Sequence, residues 1–292
     1  MNQSITEVFA TIQQVMDKKG APLLLGIFLF LFAMESVWIL RMRRQKRMRR
    51  AIINGIVAIP GLVALRLLLL PAMVWIAYMN EQWQMGINHL YDLPLWIEGV
   101  IAFLLLDYSN YVWHILNHKI PLLWRFHLVH HTDIDLDLTT AIRFHAGEMV
   151  TSVFFRGLAV LLVGASPMLV LIYEIFFEAA TQFHHSNWRL PFMFERVLNK
   201  MIVTPRMHGI HHSVRRQETD SNYSVIFSFW DRIHGSINLH ISQKEIITGV
   251  PVYGDAKELT IGYLLKLPFT RIRKWQPEEG ERGTKDKDTM IP

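Results

Sequence analysis

Apolar positions in this chain are gathered into long runs separated by short polar stretches. Residues 23–40, 52–79 and 96–118 are three such runs, each near the roughly 20 residues that a helix needs to cross a bilayer. A fourth run, residues 149–183, is interrupted by Gly164-Ala165-Ser166-Pro167. A break of that composition predicts a turn, so this run reads as a helical hairpin. Its two arms look short for full spans and are expected to tilt little or stop short of the far side. Pro60 and Pro71 mark kinks or ends in the second run.

The polar stretches complete the outline. Residues 1–22 read as a polar lead, and residues 80–95 as a short outer loop with Trp83, Tyr91 and Trp96 at the interface. Residues 188–203 read as a peripheral helix, and the charged, apolar-poor end of the chain as disordered. The expected fold is an all-α integral membrane protein. It has about four transmembrane helices or helical arms and a cytoplasmic, His-rich helical cap. Three parts are expected: N-terminal helices and a basic loop (1–95), a catalytic domain (96–240) and a soluble tail (241–292).

Composition agrees with a membrane setting, with 51% hydrophobic residues and a mean hydropathy of +0.21. Cysteine is absent, which excludes disulfides, thiolate metal ligands and thiolate-held iron–sulfur clusters. Of the net charge of +5, much sits in Arg41–Arg50, where seven of ten residues are basic. Between two apolar runs, that block reads as a cytoplasmic loop obeying the positive-inside rule rather than as a nucleic-acid contact. It is also a candidate docking face for an acidic redox partner or anionic headgroups. Glu35, within an apolar run, is expected to face other helices.

Histidine supplies the chemistry. Eleven of the fourteen histidines fall between residues 114 and 212. They are grouped as His114-x3-His118, His127-x2-His130-His131, His184-His185 and His208-x2-His211-His212. Spacings of three and four place such residues on one helix face, and neutral imidazole is the commonest protein metal ligand. About ten imidazoles are too many for one cation, so the pattern implies two metal ions. Asp107 and Tyr111 share a face with His114 and His118. Arg143, His145, Glu148, Asp133, Asp135 and Asp137 are candidates for supporting the ligands, although ordinary surface salt bridges account equally well for the three aspartates. Glu174 and Glu178 precede Thr181, Gln182 and His185 on roughly one face. Asp231 and His234 follow in WDRIHGS, and His89 lies on the wrong side for the cluster.

HILNH, HLVHH, RFHAGE, HHSN, TPRMHGIHHS, Asn222-Tyr223 and WDRIHGS occur in the order seen in the fatty acid hydroxylase / sterol desaturase superfamily, which residues 96–240 resemble. The resemblance implies a non-haem di-iron oxygenase whose irons are bound by His114, His118, His127, His130, His131, His185, His208, His211 and His212. His145, His184, Glu148, Asp107, Thr181, Gln182 and Asp231 become supporting or further candidates. Two positions depart from the family pattern. Thr181 stands where many members have a histidine, and His234 stands where an aromatic is common, so His234 receives no ligand role.

The implied reaction is O2-dependent oxidation of a lipid C–H bond, with hydroxylation expected ahead of desaturation. Imidazole also suits zinc, which can replace iron in isolated protein. The sequence contains no haem or flavin motif and no cytochrome b5-like domain, so a separate donor of ferredoxin or cytochrome type is expected. A metal transporter would carry its polar ligands near mid-membrane, whereas these motifs gather at helix ends.

Overall fold

A computed structural model describes residues 4–275, and among these the chain is helical with no β-strand. Among the described residues, four stretches are long and apolar enough to cross a membrane: Ile5–Val37, Arg47–His89, Leu95–Lys119 and Ala146–Val163. Large apolar side chains such as Leu25, Leu62, Leu67, Phe154, Leu158 and Phe176 point outward. On a soluble domain such a surface would be a liability; here it faces lipid. The fold is an all-α integral membrane fold.

The first two spans depart from the expected outline. Residues 5–15 form a helix, α1 (Ile5–Val15), that runs through a π-turn into α2 (Ala21–Val37). Ser4 and Glu7 form a capping box that starts α1. Val8 and Ile12, one turn apart, pack on Val74 and Leu171, so the stretch read as a polar lead belongs to the helical bundle. Its charged residues lie on the open face, where Asp17 pairs with Arg66. The second span begins within the basic block, as α3 (Arg47–Ala64), and continues as α4 (Leu70–Trp83). Pro60 and Pro71 do not end it. A π-turn over Leu65–Leu69 lies between them, an adjustment that lets a helix absorb the hydrogen bonds proline removes.

After α5 (Leu95–Lys119), Pro121 opens α6 (Pro121–His131), which lies across the end of the bundle. The hairpin is present as α7 (Ala146–Val163) and α8 (Pro167–His185). Gly164 ends α7 in the left-handed region, and Ser166 caps α8 by accepting from the Leu169 N–H. At 1.5 Å rise per residue each arm is about 27–29 Å long, enough for the hydrocarbon core. Of the two arms, α7 is long and apolar enough to cross a membrane, and the turn packs on the loop after α4, where Gly86 and Gly164 both have positive φ (96° and 75°). A Cβ on Gly86 would lie 2.3 Å from the Gly164 nitrogen. Trp83, Tyr91 and Trp96 are exposed on this side, and His89 lies beside Gly164, away from the other histidines.

The opposite side carries the cap. Leu128 and Val129 of α6 and Val57 of α3 form a core with Val250, Tyr253, Leu264 and Leu267. The tail up to residue 275 therefore packs on the cap; residues 276–292, where disorder was expected, lie outside the described residues. Within 188–203 the helix is shorter than expected, α9 (Phe192–Leu198), with Met193, Phe194 and Val197 exposed.

Candidate metal centre

Four helices bring the histidines together: α5, α6, α8 and α10 (Pro205–His211). The helical spacing sorts them. One group holds His114 and His118 of α5, His127 and His131 of α6, and His211 of α10. A second holds His130 of α6, His185 of α8, and His208 and His212. Each H-x2-H-H motif is thus divided. Its first and last histidines, one turn apart, enter one group, and the middle one enters the other. Within each group one ring nitrogen per residue lies within 4.8 Å of every other. The groups adjoin, and the His131 and His212 rings stack at 4.4 Å.

Hydrogen bonds fix which nitrogen faces inward. A carbonyl oxygen only accepts, so each imidazole nitrogen beside one must be the protonated nitrogen. The Nδ1–H of His114 donates to the Tyr223 carbonyl (2.7 Å), that of His211 to Ser221 (2.7 Å), and that of His185 to Thr181 (2.8 Å). His127 Nδ1–H donates to Glu148 Oε1 at 3.0 Å. In neutral rings this leaves the Nε2 lone pairs pointing at one another. His130 and His185 approach Nε2 to Nε2 at 3.0 Å, His185 and His208 at 3.0 Å, and His208 and His212 at 3.1 Å. Burial, reinforced by neighbouring imidazoles, pushes His130, His131, His208, His211 and His212 well below the ordinary histidine range, so they are neutral.

Facing lone pairs without protons repel unless a cation lies between them. Two ligands held about 2.0–2.1 Å from a metal at roughly right angles are about 3 Å apart, which is the separation seen. Buried ring nitrogens of His118, His211 and others have no hydrogen-bond partner among the described residues. These residues fit metal ions, and the histidine groups are capable of holding them.

The remaining candidates fall into place around this centre. Glu148 orients His127. Asp231 accepts from the Tyr223 and Ser224 N–H groups (2.9 Å each) and so holds the turn whose carbonyl orients His114. Asp107 accepts from Trp230 Nε1 (2.8 Å) and the Phe227 N–H (3.2 Å), pinning the same loop to α5. His184 lies against His208, ring centroids 4.1 Å apart, with its Nδ1–H on the Val225 carbonyl. Thr181 contributes its carbonyl to His185, while its hydroxyl bonds Phe177. Gln182 points into a cavity and donates to Glu178 at 3.4 Å.

His145 stays outside both groups. Its Nδ1 caps α7 by accepting from Gly147 N–H, and its Nε2 reaches the Leu265 carbonyl. His234 stacks on Tyr108 and Tyr111.

The aspartates belong to neither of the expected settings. Asp133, Asp135 and Asp137 are buried, and their carboxylates are held by arginines and backbone N–H groups rather than by ligand histidines. Arg50 pairs with Asp133 (2.6 Å) and Asp137, and Arg143 lies 3.6 Å from Asp133. Arg143 also donates to the Val129 carbonyl at 2.9 Å, tying down the helix that carries His127, His130 and His131. Asp135 accepts from the Arg44 and Gln45 backbone. Half-hidden arginines of the basic block are used likewise: Arg47 and Arg43 bind at Glu35, whose other oxygen accepts from Leu138 and Asn187 N–H. Arg44, Lys46 and Arg49 remain exposed.

A cavity of about 550 Å³ opens directly beneath the histidines, with His114, His127, His130, His184, His185 and His208 at its head. It extends along α8 to Leu171, fourteen residues from His185, or about 21 Å at helical rise. Leu25 of α2 and Leu62 of α3 line it and are also more than half exposed on the lipid-facing surface. The cavity wall between these helices therefore borders the bilayer.

Residues 99–236, the stretch that builds both groups, match the family model for fatty acid hydroxylase. The chain carries a fatty acid hydroxylase domain. It is similar to the cholesterol 25-hydroxylase-like protein of Danio rerio, at 29% identity over 46% of this chain and 53% of the relative. It also resembles human alkylglycerol monooxygenase (26%, 78% of this chain, 49% of the relative) and human cholesterol 25-hydroxylase (28%, 50% and 53%). The chain spans about half the length of the curated relatives it matches. No solved structure matches it significantly.

Proposed function

We propose that this chain is a membrane oxygenase that hydroxylates a C–H bond of a lipid, using O2 and two electrons from a separate ferredoxin- or cytochrome-type donor. One observation carries the reading: two groups of inward-facing neutral imidazoles sit at the head of an apolar cavity that borders the bilayer. Hydroxylated or oxygenated lipids are what the names of its relatives specify. The two groups would hold two iron ions, which supply the capacity to activate O2 and remove hydrogen from an unactivated carbon.

The protein's own part is placement and protection. His114, His118, His127, His131 and His211 form one ligand set, and His130, His185, His208 and His212 the other. Glu148 and the Tyr223, Ser221 and Thr181 carbonyls keep those rings in the correct tautomer. Leu24, Leu65, Trp113 and Phe177 line the channel below. They hold an alkyl chain against the centre and exclude water that would divert the reaction. Substrate enters sideways between α2 and α3, without leaving the bilayer. The exposed Arg44, Lys46 and Arg49 support a cap on the cytoplasmic side, by the positive-inside rule.

The test is lipid mass spectrometry of cells expressing the chain or its His130→Ala variant. A lipid gaining 16 mass units only with the unaltered chain supports the reading. Identical lipid profiles in the two, with both proteins folded in the membrane, would refute it.

A further inference from the structure

The cavity contains charge where an alkyl channel needs none. Glu174, Glu178 and Gln182 occupy successive turns of α8 and all face into it, opposite Arg156 of α7. Arg156 pairs with Glu174 and lies over the Phe177 ring at 4.9 Å. Gln182 Nε2 donates to Glu178 at 3.4 Å. The Arg156–Glu174 pair would serve to join the two arms, but Glu178 adds a second carboxyl that one guanidinium does not require. Arg156 and Gln182 are 6% and 4% exposed. Yet Arg156 Nε and Gln182 Oε1 have no partner among the described residues. Buried polar atoms left without a partner are costly, and ionisable groups at membrane depth are retained chiefly for function.

Resting on the lipid-oxygenase reading, we propose that Arg156, Glu174, Glu178 and Gln182 form a polar subsite that binds a neutral hydroxyl at the far end of the substrate. Glu174 and Glu178 are eleven and seven residues before His185 on α8, which places the two carboxyls about 16 and 10 Å from it at helical rise, while Gln182 reaches Glu178 from the side of the histidines. The substrate is thus a long apolar molecule with one hydroxyl about 10–16 Å from the carbon oxidised. Charge selects the hydroxyl over an acid. A carboxylate would meet two carboxyl groups against one guanidinium, whereas a hydroxyl both donates and accepts. Leu24, Leu65, Trp113 and Phe177 line the cavity beside these groups, so a hydroxyl held by the subsite fixes which carbon reaches the centre.

The experiment measures binding of tritiated hexadecan-1-ol to the purified full chain in detergent, with hexadecane and palmitate as competitors. It requires no turnover. Hexadecan-1-ol should compete about tenfold or more better than hexadecane, the value of hydrogen bonds to charged groups, and better than palmitate. Glu178→Leu, and Arg156→Gln with Glu174→Gln together, should bring alcohol and alkane close to parity. Undiminished hexadecane binding shows those variants folded. Parity in the unaltered chain would overturn the subsite while leaving the lipid cavity intact. Discrimination that survives both variants would overturn the assignment to these residues. Binding of none of the three compounds would overturn the lipid reading and the subsite with it.

Discussion

Replacing Arg50 by methionine isolates the network that holds the cap in place. Arg50 Nη1 lies 2.6 Å from Asp133 Oδ2 and 2.8 Å from the Asp135 carbonyl, and its other amino group pairs with Asp137. The side chains of Arg50, Asp133 and Asp137 are 3%, 1% and 1% exposed. Losing one partner of a buried pair strands the others, at a cost of about 3–5 kcal/mol; an exposed pair would cost roughly 0–1 kcal/mol. The assay is reversible denaturation of the purified protein in detergent, for Arg50→Met, for Asp133→Asn with Asp137→Asn, and for all three together. The triple variant deprives Arg143 of the Asp133 carboxylate, as the double variant does, but strands neither Arg50 nor a carboxylate, and should cost much less than the sum of the other two. Because Thr132 and Arg143 connect this network to the end of α6, Arg50→Met should also lower metal content. A cost below about 1 kcal/mol, or simple additivity, would refute the reasoning.

Further outcomes follow from the same contacts. Burial raises the Asp133 carboxyl, but Arg50 and Arg143 outweigh it and hold it below its ordinary range. Its stabilising contribution should be complete above about pH 4 and fade as pH falls through the lowered native value, an acid dependence that Asp133→Asn abolishes in pH-dependent unfolding. Glu148→Ala removes the acceptor for His127 and should weaken metal binding about 10–100-fold in equilibrium dialysis, with the fold retained by circular dichroism. His211→Ala and His130→Ala each take a ligand from a different group, so each should lower bound metal by less than the pair does together, as read by elemental analysis. In a chain with no cysteine of its own, Lys119→Cys and Arg189→Cys should label from one membrane side and Tyr91→Cys from the other.

Much of the architecture is legible in the sequence because lipid imposes a simple rule on it. Runs of apolar residues become spans, and the Gly164–Pro167 break becomes a turn, because no other backbone conformation survives there. The histidine motifs are legible for a related reason: spacings of three and four commit residues to a helix face before any tertiary contact exists. The division of each H-x2-H-H motif between two groups is not legible, since it depends on how α6 and α10 face each other. Nor are the carbonyls of Tyr223, Ser221 and Thr181, which have no residue-type signature; Asn222, left-handed at φ 55° and bonded to the Met207 carbonyl, is the local cause of that turn. The polar look of residues 1–22 misled because their charged and amide residues mask an apolar stripe, Ile5, Val8, Phe9, Ile12, Val15 and Met16, whose spacings of three and four mark one helix face. Asp133, Asp135 and Asp137 looked like surface residues because their partners Arg50, Arg44 and Gln45 are 83 to 91 positions away.

Incubation of the purified, iron-loaded chain with lipid, an electron donor and 18-O2, followed by mass spectrometry, tests the central claim most directly. The account predicts a lipid product carrying one labelled oxygen atom, formed only with O2 and absent with His130→Ala. Loss of two hydrogens without label would indicate desaturation at the same centre. A product formed equally well without oxygen would contradict the account.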